Sequence, residues 1–203
     1  PERVRHSTYV HKILRHLVVN PPPEPERDDL MSGSYLYIVP EVNGVDEAIA
    51  PLIEWRKRQG FKVVVEHLRN GASVGQISAL IDEAYEEWDN PVEFVAIIGD
   101  ASGGSYNLAA ASGNGDYNYT RVDGNDPLPD IALGRISANS RAELDRVINK
   151  LVMYESDPMM DDLEDGNNWF EQGAVVAGHV NNGLGTVLVA RFAEQELYRI
   201  GYQ

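Results

Sequence analysis

Cysteine is absent from the 203 residues. A disulfide scaffold, a thiolate metal site and a cysteine nucleophile are thereby excluded within them. Long apolar runs are missing too, none approaching the ~20 residues that span a bilayer. Basic residues are few, 17 Lys and Arg against 32 Asp and Glu, for a formal charge of -15. A polyanion repels nucleic acid, which argues against non-specific nucleic-acid binding. The charge instead gives a soluble, self-repelling surface. Neither a phosphate-cradling GxxxxGK loop nor a full GxGxxG is present. No signal-peptide pattern opens the chain, and its first residue is Pro1, not Met, so it reads as a processed or trimmed piece.

What is present is an ordinary globular composition, 43% apolar. Apolar runs of strand length alternate with helical periodicities. Tyr35–Val39, Phe61–Val65, Val92–Ile98, Ile131–Leu133 and Ala174–Ala177 read as strands. A helix from Val45 places Ile49, Leu52 and Ile53 on one face and ends at Gly60. Ser73 to Trp88 is the clearest helix, opened by a Ser73–Gln76 capping box. Ser140 with Glu143 forms a second box before Leu144, Val147, Ile148 and Leu151. A last helix carries Val189, Phe192, Leu197 and Ile200. This alternation predicts an α/β fold, a parallel sheet flanked by helices on both faces. Asn20 to Pro25 is a proline-rich linker. The domain reading is therefore an N-terminal segment and linker over 1–30, a first α/β subdomain over 31–168, and the incomplete beginning of a second over 169–203.

The stretch from Val92 to Arg135 organises the rest. Its first strand is nearly continuously apolar, as suits a strand buried on both faces, and stops at Gly99-Asp100. Asp100 therefore falls at the carboxyl edge of the sheet, where open α/β sheets bind ligands. Asp116 and Tyr117, in the long loop that follows, are candidates to line a cleft there. His179 closes the fifth strand at the same edge and is a candidate for catalysis. Gly71-Ala72-Ser73-Val74-Gly75 fits G-x-S-x-G, so Ser73, Asp100 and His179 form a candidate serine-hydrolase triad. A nucleophile elbow needs the serine on a tight strand-to-helix turn, and Ser73 is also the natural N-cap of its helix. Asp123, Asp126 and Asp130 supply oxygens of the kind calcium takes as a structural ion. The same residue types favour turns, which is the preferred reading. The segment from Asp161 to Gly166 fails as an EF-hand loop because Leu163 takes a ligand position. The fold requires no cofactor.

Trp55-Arg56-Lys57-Arg58-Gln59-Gly60-Phe61, Ile98-Gly99-Asp100, Gly115-Asp116-Tyr117, Pro129 to Ile136, Lys150 to Glu155 and Trp169 occur here in an order that resembles gingipain-type cysteine peptidases, peptidase family C25. The resemblance covers about residues 35 to 203. It implies a caspase-like fold of two side-by-side subdomains. It also implies peptide-bond hydrolysis by a Cys thiolate with a His as general base and acid. Both members of that dyad lie beyond the matched stretch, so the chain is expected to be inactive alone. Some members orient the catalytic His with a carboxylate after the strand matching Ala174 to Ala177. Here Asn181 or Asn182 is the substitute. Arginine-specific members carry an Asp at the start of the next helix, and the matching position falls near Thr186. A carboxylate is what selects a guanidinium, so Thr186 speaks against cleavage after Arg.

The resemblance implies a protein or peptide substrate. Expected partners are the remainder of a catalytic domain and an N-terminal propeptide or β-domain, matched by the residues before the linker. It also implies a secreted or cell-surface location. The alternatives are the Ser73 hydrolase and a non-catalytic interaction domain of a degenerate family member.

Overall fold

Four of the apolar runs pair as one parallel sheet. The computed structural model describes residues 6–7, 15, 19–20, 30–31, 33–113, 115–124, 127–157, 172–177 and 183–202. The chain divides into two units, Pro1–Ser156 and Asp157–Gln203. In the first unit, β1 (His6–Ser7) and β2 (Leu30–Met31) form a short parallel pair. The main sheet holds β3 (Ser34–Pro40), β4 (Lys62–Leu68), β5 (Val92–Ile98) and β6 (Ala132–Ile136). Its order is β4-β3-β5-β6, and every pairing is parallel. Helices α1 (Val45–Arg58), α2 (Val74–Glu86) and α3 (Arg141–Ser156) connect or follow the strands.

Alternation along β3 explains why helices cover both faces. Leu36 and Ile38 point one way and pack with Ile77 and Ile81 of α2. Tyr37 and Val39 point the other way, against Ile49 and Leu52 of α1 and Leu144 and Ile148 of α3. All ten are essentially inaccessible to solvent. Burial of each aliphatic side chain contributes roughly 1.5–3 kcal/mol, which offsets the ordering entropy of the chain.

At the amino edge of the sheet, α1 is tied to α3 by charge. Arg56 grips Glu155 with both terminal nitrogens, and Trp55 Nε1 donates to the same carboxylate at 2.9 Å. The Arg56 guanidinium lies 5.1 Å from the Tyr35 ring centre, and Tyr35 stacks on Phe94 at 4.6 Å. Burial pushes the Tyr37 phenol up to about 12.

Several boundaries differ from the sequence reading. β4 runs on through Glu66, His67 and Leu68, because these residues pair with Ile38, Val39 and Pro40. β6 runs on through Arg135 and Ile136, which pair with Ile97 and Ile98. The Ser73–Gln76 box forms, with Ser73 N–H donating to Gln76 Oε1 at 3.1 Å. The second box is displaced. Glu143 N–H donates to Ser140 Oγ at 3.3 Å, but the Glu143 carboxylate reaches back to Asn139 N–H at 2.8 Å.

In the second unit, residues 172–177 join no strand ladder among the described residues. The fifth strand expected over 174–177 is therefore not formed there; apolar character alone does not make a strand without a neighbour to pair with. Helix α4 (Gly183–Arg199) follows. Among the described residues no helix is long and apolar enough to cross a membrane.

Candidate functional site

The chain leaves β3 for β4 on one side, then returns to β5 on the other. The strand order therefore reverses between β3 and β5, and the crevice at their carboxyl ends is where such sheets place ligands. The loops after Pro40 and Ile98 line it.

Gly99 starts the second loop at φ 116°, and a Cβ there would stand 3.0 Å from the Tyr106 carbonyl oxygen. Only glycine meets both conditions. The loop then closes on itself. Asp100 N–H donates to Tyr106 O at 2.9 Å, and Leu108 N–H donates to Asp100 O at 3.0 Å. Gly71 N–H reaches Asn107 O at 2.7 Å, and Ala109 N–H reaches Ala72 O at 3.2 Å, so the loop before α2 is fastened to it.

Asp100 sits at the carboxyl edge, as its sequence position implies. One oxygen turns back into its own loop and the other meets Asn139, beyond β6. Ala101 N–H donates to Oδ1 at 2.7 Å, and Asn139 Nδ2 donates to Oδ2 at 2.8 Å. Hydrogen bonds from Ser102, Ala101 and Asn139 hold the carboxyl below its ordinary range. Such a group stays ionised near neutrality and acts as an anchor for the loop, not as a proton carrier.

Asp116 is gripped by Arg135. Nε donates to Oδ2 at 2.7 Å and Nη2 to Oδ1 at 2.9 Å. The remaining guanidinium hydrogens go to backbone carbonyls: Gly99 O at 3.1 Å, Leu108 O at 2.9 Å and Ala109 O at 3.1 Å. Every N–H of the fork thus has an acceptor. Arg135 projects from β6 and pins the whole excursion between Gly99 and Asp116 onto the sheet.

Tyr117 opens a 3-10 turn, Tyr117–Thr120, and is half exposed at 51%. Its hydroxyl donates to Pro127 O. Tyr119 is buried, with its hydroxyl donating to Ala109 O at 2.9 Å, and burial pushes its phenol up to about 12.

Asp130 Oδ2 accepts from Val122 N–H at 2.9 Å and from Asp123 N–H at 3.0 Å. That is turn chemistry, and it places backbone hydrogens where a cation would need open oxygen. Among the described residues no group of three or more His, Asp or Glu is arranged to hold a metal ion. Asp126 lies outside the described residues, as do His179, Asn181 and Asn182.

Ser73 stands five residues past the end of β4, at the N-cap of α2, with its hydroxyl 3.2 Å from Gln76 Oε1. Thr186 lies in the first turn of α4, which contains no acidic residue. Within the second unit, a cleft of about 200 Å³ lies between 172–177 and α4. Val175, Val187, Ala190 and Leu197 line it, with Arg191 and Glu194.

Two residues that shape this edge, Arg135 and Asn139, escaped the sequence reading. The available signal was a single Arg set inside an otherwise apolar strand run, where a charge needs a partner.

Residues 29–199 match the profile of Peptidase family C25. Lys-gingipain of Porphyromonas gingivalis is 32% identical over 141 residues, which cover 65% of this chain and 8% of that protein. Gingipain R2 of the same organism is 23% identical over 149 residues, covering 72% of this chain and 19% of its own length. The chain thus spans about a fifth or less of these curated relatives. The crystal structure of the Arg-specific cysteine proteinase gingipain R superposes with a TM-score of 0.64 at 19% identity, covering 90% of this chain and 41% of that one. The complex of Porphyromonas gingivalis RgpB pro- and mature domains gives 0.64 at 21% identity, covering 84% and 40%. At these identities the likeness to the solved structures is one of fold.

Proposed function

The chain belongs to peptidase family C25, and from that membership we propose that it forms the part of a gingipain-like cysteine endopeptidase that frames the substrate cleft without supplying the nucleophile. The observation that carries the proposal is a family match over residues 29–199 in a sequence with no cysteine. The Cys and His of the dyad then belong to polypeptide outside these 203 residues, and the chain alone cleaves nothing.

Helix α4 supports this reading. None of its residues from Gly185 to Arg199 is buried, and Leu188, Val189 and Phe192 are 59%, 69% and 64% exposed. A soluble helix seldom leaves such a face uncovered. The remainder of the catalytic domain is its natural cover. The pinned loops after β5 give the crevice a fixed wall, as a site built on rigid elements requires.

The first turn of α4, with Thr186 and no carboxylate, offers no anion to a basic substrate side chain. The proposed substrate is therefore a protein or peptide, with cleavage after Arg disfavoured. Action outside the cell, secreted or surface-held, and pairing with an N-terminal propeptide or β-domain complete the proposal.

The test is to read the coding sequence past Gln203, express the longer product, and treat it with a thiol-directed peptidyl probe. Labelling of a cysteine beyond these residues supports the proposal. A longer product with no reactive cysteine overturns it in favour of a non-catalytic interaction domain.

A further inference from the structure

Four Asn–Gly pairs occur in the sequence, at Asn43, Asn70, Asn114 and Asn182. Two of them lie wholly within the described residues, and their surroundings differ. Asn70–Gly71 is clamped: Asn70 Oδ1 accepts from Asn107 N–H at 2.7 Å, and Gly71 N–H donates to Asn107 O at 2.7 Å. Asn43–Gly44 sits in the exposed turn between β3 and α1, beside the crevice. Among the described residues neither the Asn43 side chain nor the Gly44 N–H makes a hydrogen bond.

We propose that Asn43 is a site of spontaneous, water-driven deamidation, and that the fold protects Asn70 from the same reaction. The Gly44 nitrogen gives its proton to hydroxide and attacks the Asn43 side-chain carbonyl carbon. The carbon–nitrogen bond of the side-chain amide breaks, and ammonia leaves with a proton from water. The resulting succinimide ring is opened by water at either carbonyl, giving aspartate or isoaspartate. No oxidant or reductant takes part.

Three features favour Asn43. Glycine at the following position leaves the attacking nitrogen unhindered, and its φ of 82° is held without a side chain. The Asn43 amide is free to rotate. Arg141, itself paired with Asp145, donates from Nη1 to Gly44 O at 2.7 Å, so a guanidinium stands at the residue whose nitrogen becomes anionic.

The product changes the turn. An aspartate puts a negative charge next to the positive end of α1, a favourable place. An isoaspartate inserts an extra backbone carbon between Val42 and Gly44, and the Val45 N–H to Val42 O bond, 3.3 Å, cannot keep its geometry.

The experiment is ageing of the purified protein in mildly alkaline buffer, with peptide mass spectrometry that separates aspartate from isoaspartate. A parallel sample is held unfolded in urea. Two hydrogen bonds must open at Asn70–Gly71 and none at Asn43–Gly44, which sets the expected rate ratio in the folded protein at about tenfold or more. In urea the two rates converge. Equal rates in the folded protein, faster loss at Asn70, or an unchanged Asn43 over a period that converts the unfolded chain would each overturn the proposal.

Discussion

Arg135 and Asp116 meet as a two-pronged ion pair, Nε to Oδ2 at 2.7 Å and Nη2 to Oδ1 at 2.9 Å, with side chains only 10% and 16% exposed. The same guanidinium also serves three loop carbonyls. Its removal strands a carboxylate and the Gly99 and Leu108 carbonyls at once, while Ala109 O keeps the Tyr119 hydroxyl. Arg135→Met is expected to cost about 3–5 kcal/mol, read as the shift in urea unfolding. Arg135→Lys should recover little of that, because an ammonium cannot fork. A Lys variant as stable as the parent would show that the fork is not what holds the loop.

Glu155 gives a pH prediction. Hydrogen bonding from Arg56 holds its carboxyl below the ordinary glutamate range. A depressed folded-state value means that the group contributes stability above its unfolded-state value. That contribution is lost as pH falls through the lower, folded one. Glu155→Gln should therefore be less stable than the parent at neutral pH, and the gap should close in acid. Urea midpoints across pH measure it, and a gap that widens toward acid would contradict the assignment.

Pro51 lies inside α1 and is exposed. It can donate no backbone hydrogen bond to Glu47, and proline is the poorest residue for a helix interior. Pro51→Ala should stabilise the protein by on the order of 1 kcal/mol, after the entropy returned to the unfolded chain is discounted. Thermal unfolding checks it, and a lower melting temperature would mean that the proline ring makes a contact worth more than the bond.

Ser73 separates two roles in one experiment. As an N-cap, Ser73→Ala should cost about 1 kcal/mol of stability. As a nucleophile, Ser73 would take a fluorophosphonate label. The geometry predicts the first and no labelling of the parent protein. A covalent adduct at Ser73 would revive the hydrolase reading.

Much of the first unit was legible because its signals are local. The run from Val92 to Ile98 is apolar but for Glu93 and is the strand, residue for residue. The α2 face of Ile77, Ile81 and Ala84 follows from helical spacing. Where local and tertiary signals disagree, the reading falls short. Glu66 and His67 look like a strand's end, yet the neighbouring β3 supplies their ladder partners. Gly134-Arg135 looks like a stop, yet the Arg backbone pairs with Ile97 while its side chain serves the loop. At the site, Asp100 was legible as an edge residue from the strand before it. Its engagement by Asn139, 39 residues on, was not, because only the completed sheet brings them together.

The most direct test of the account compares peptide turnover by the purified 203-residue chain and by the longer gene product, against a library varied at the residue before the scissile bond. No turnover by the chain is expected. The longer product is expected to show thiol-inhibitor-sensitive cleavage with no preference for Arg before the scissile bond. Protease-free turnover by the chain itself would contradict the account.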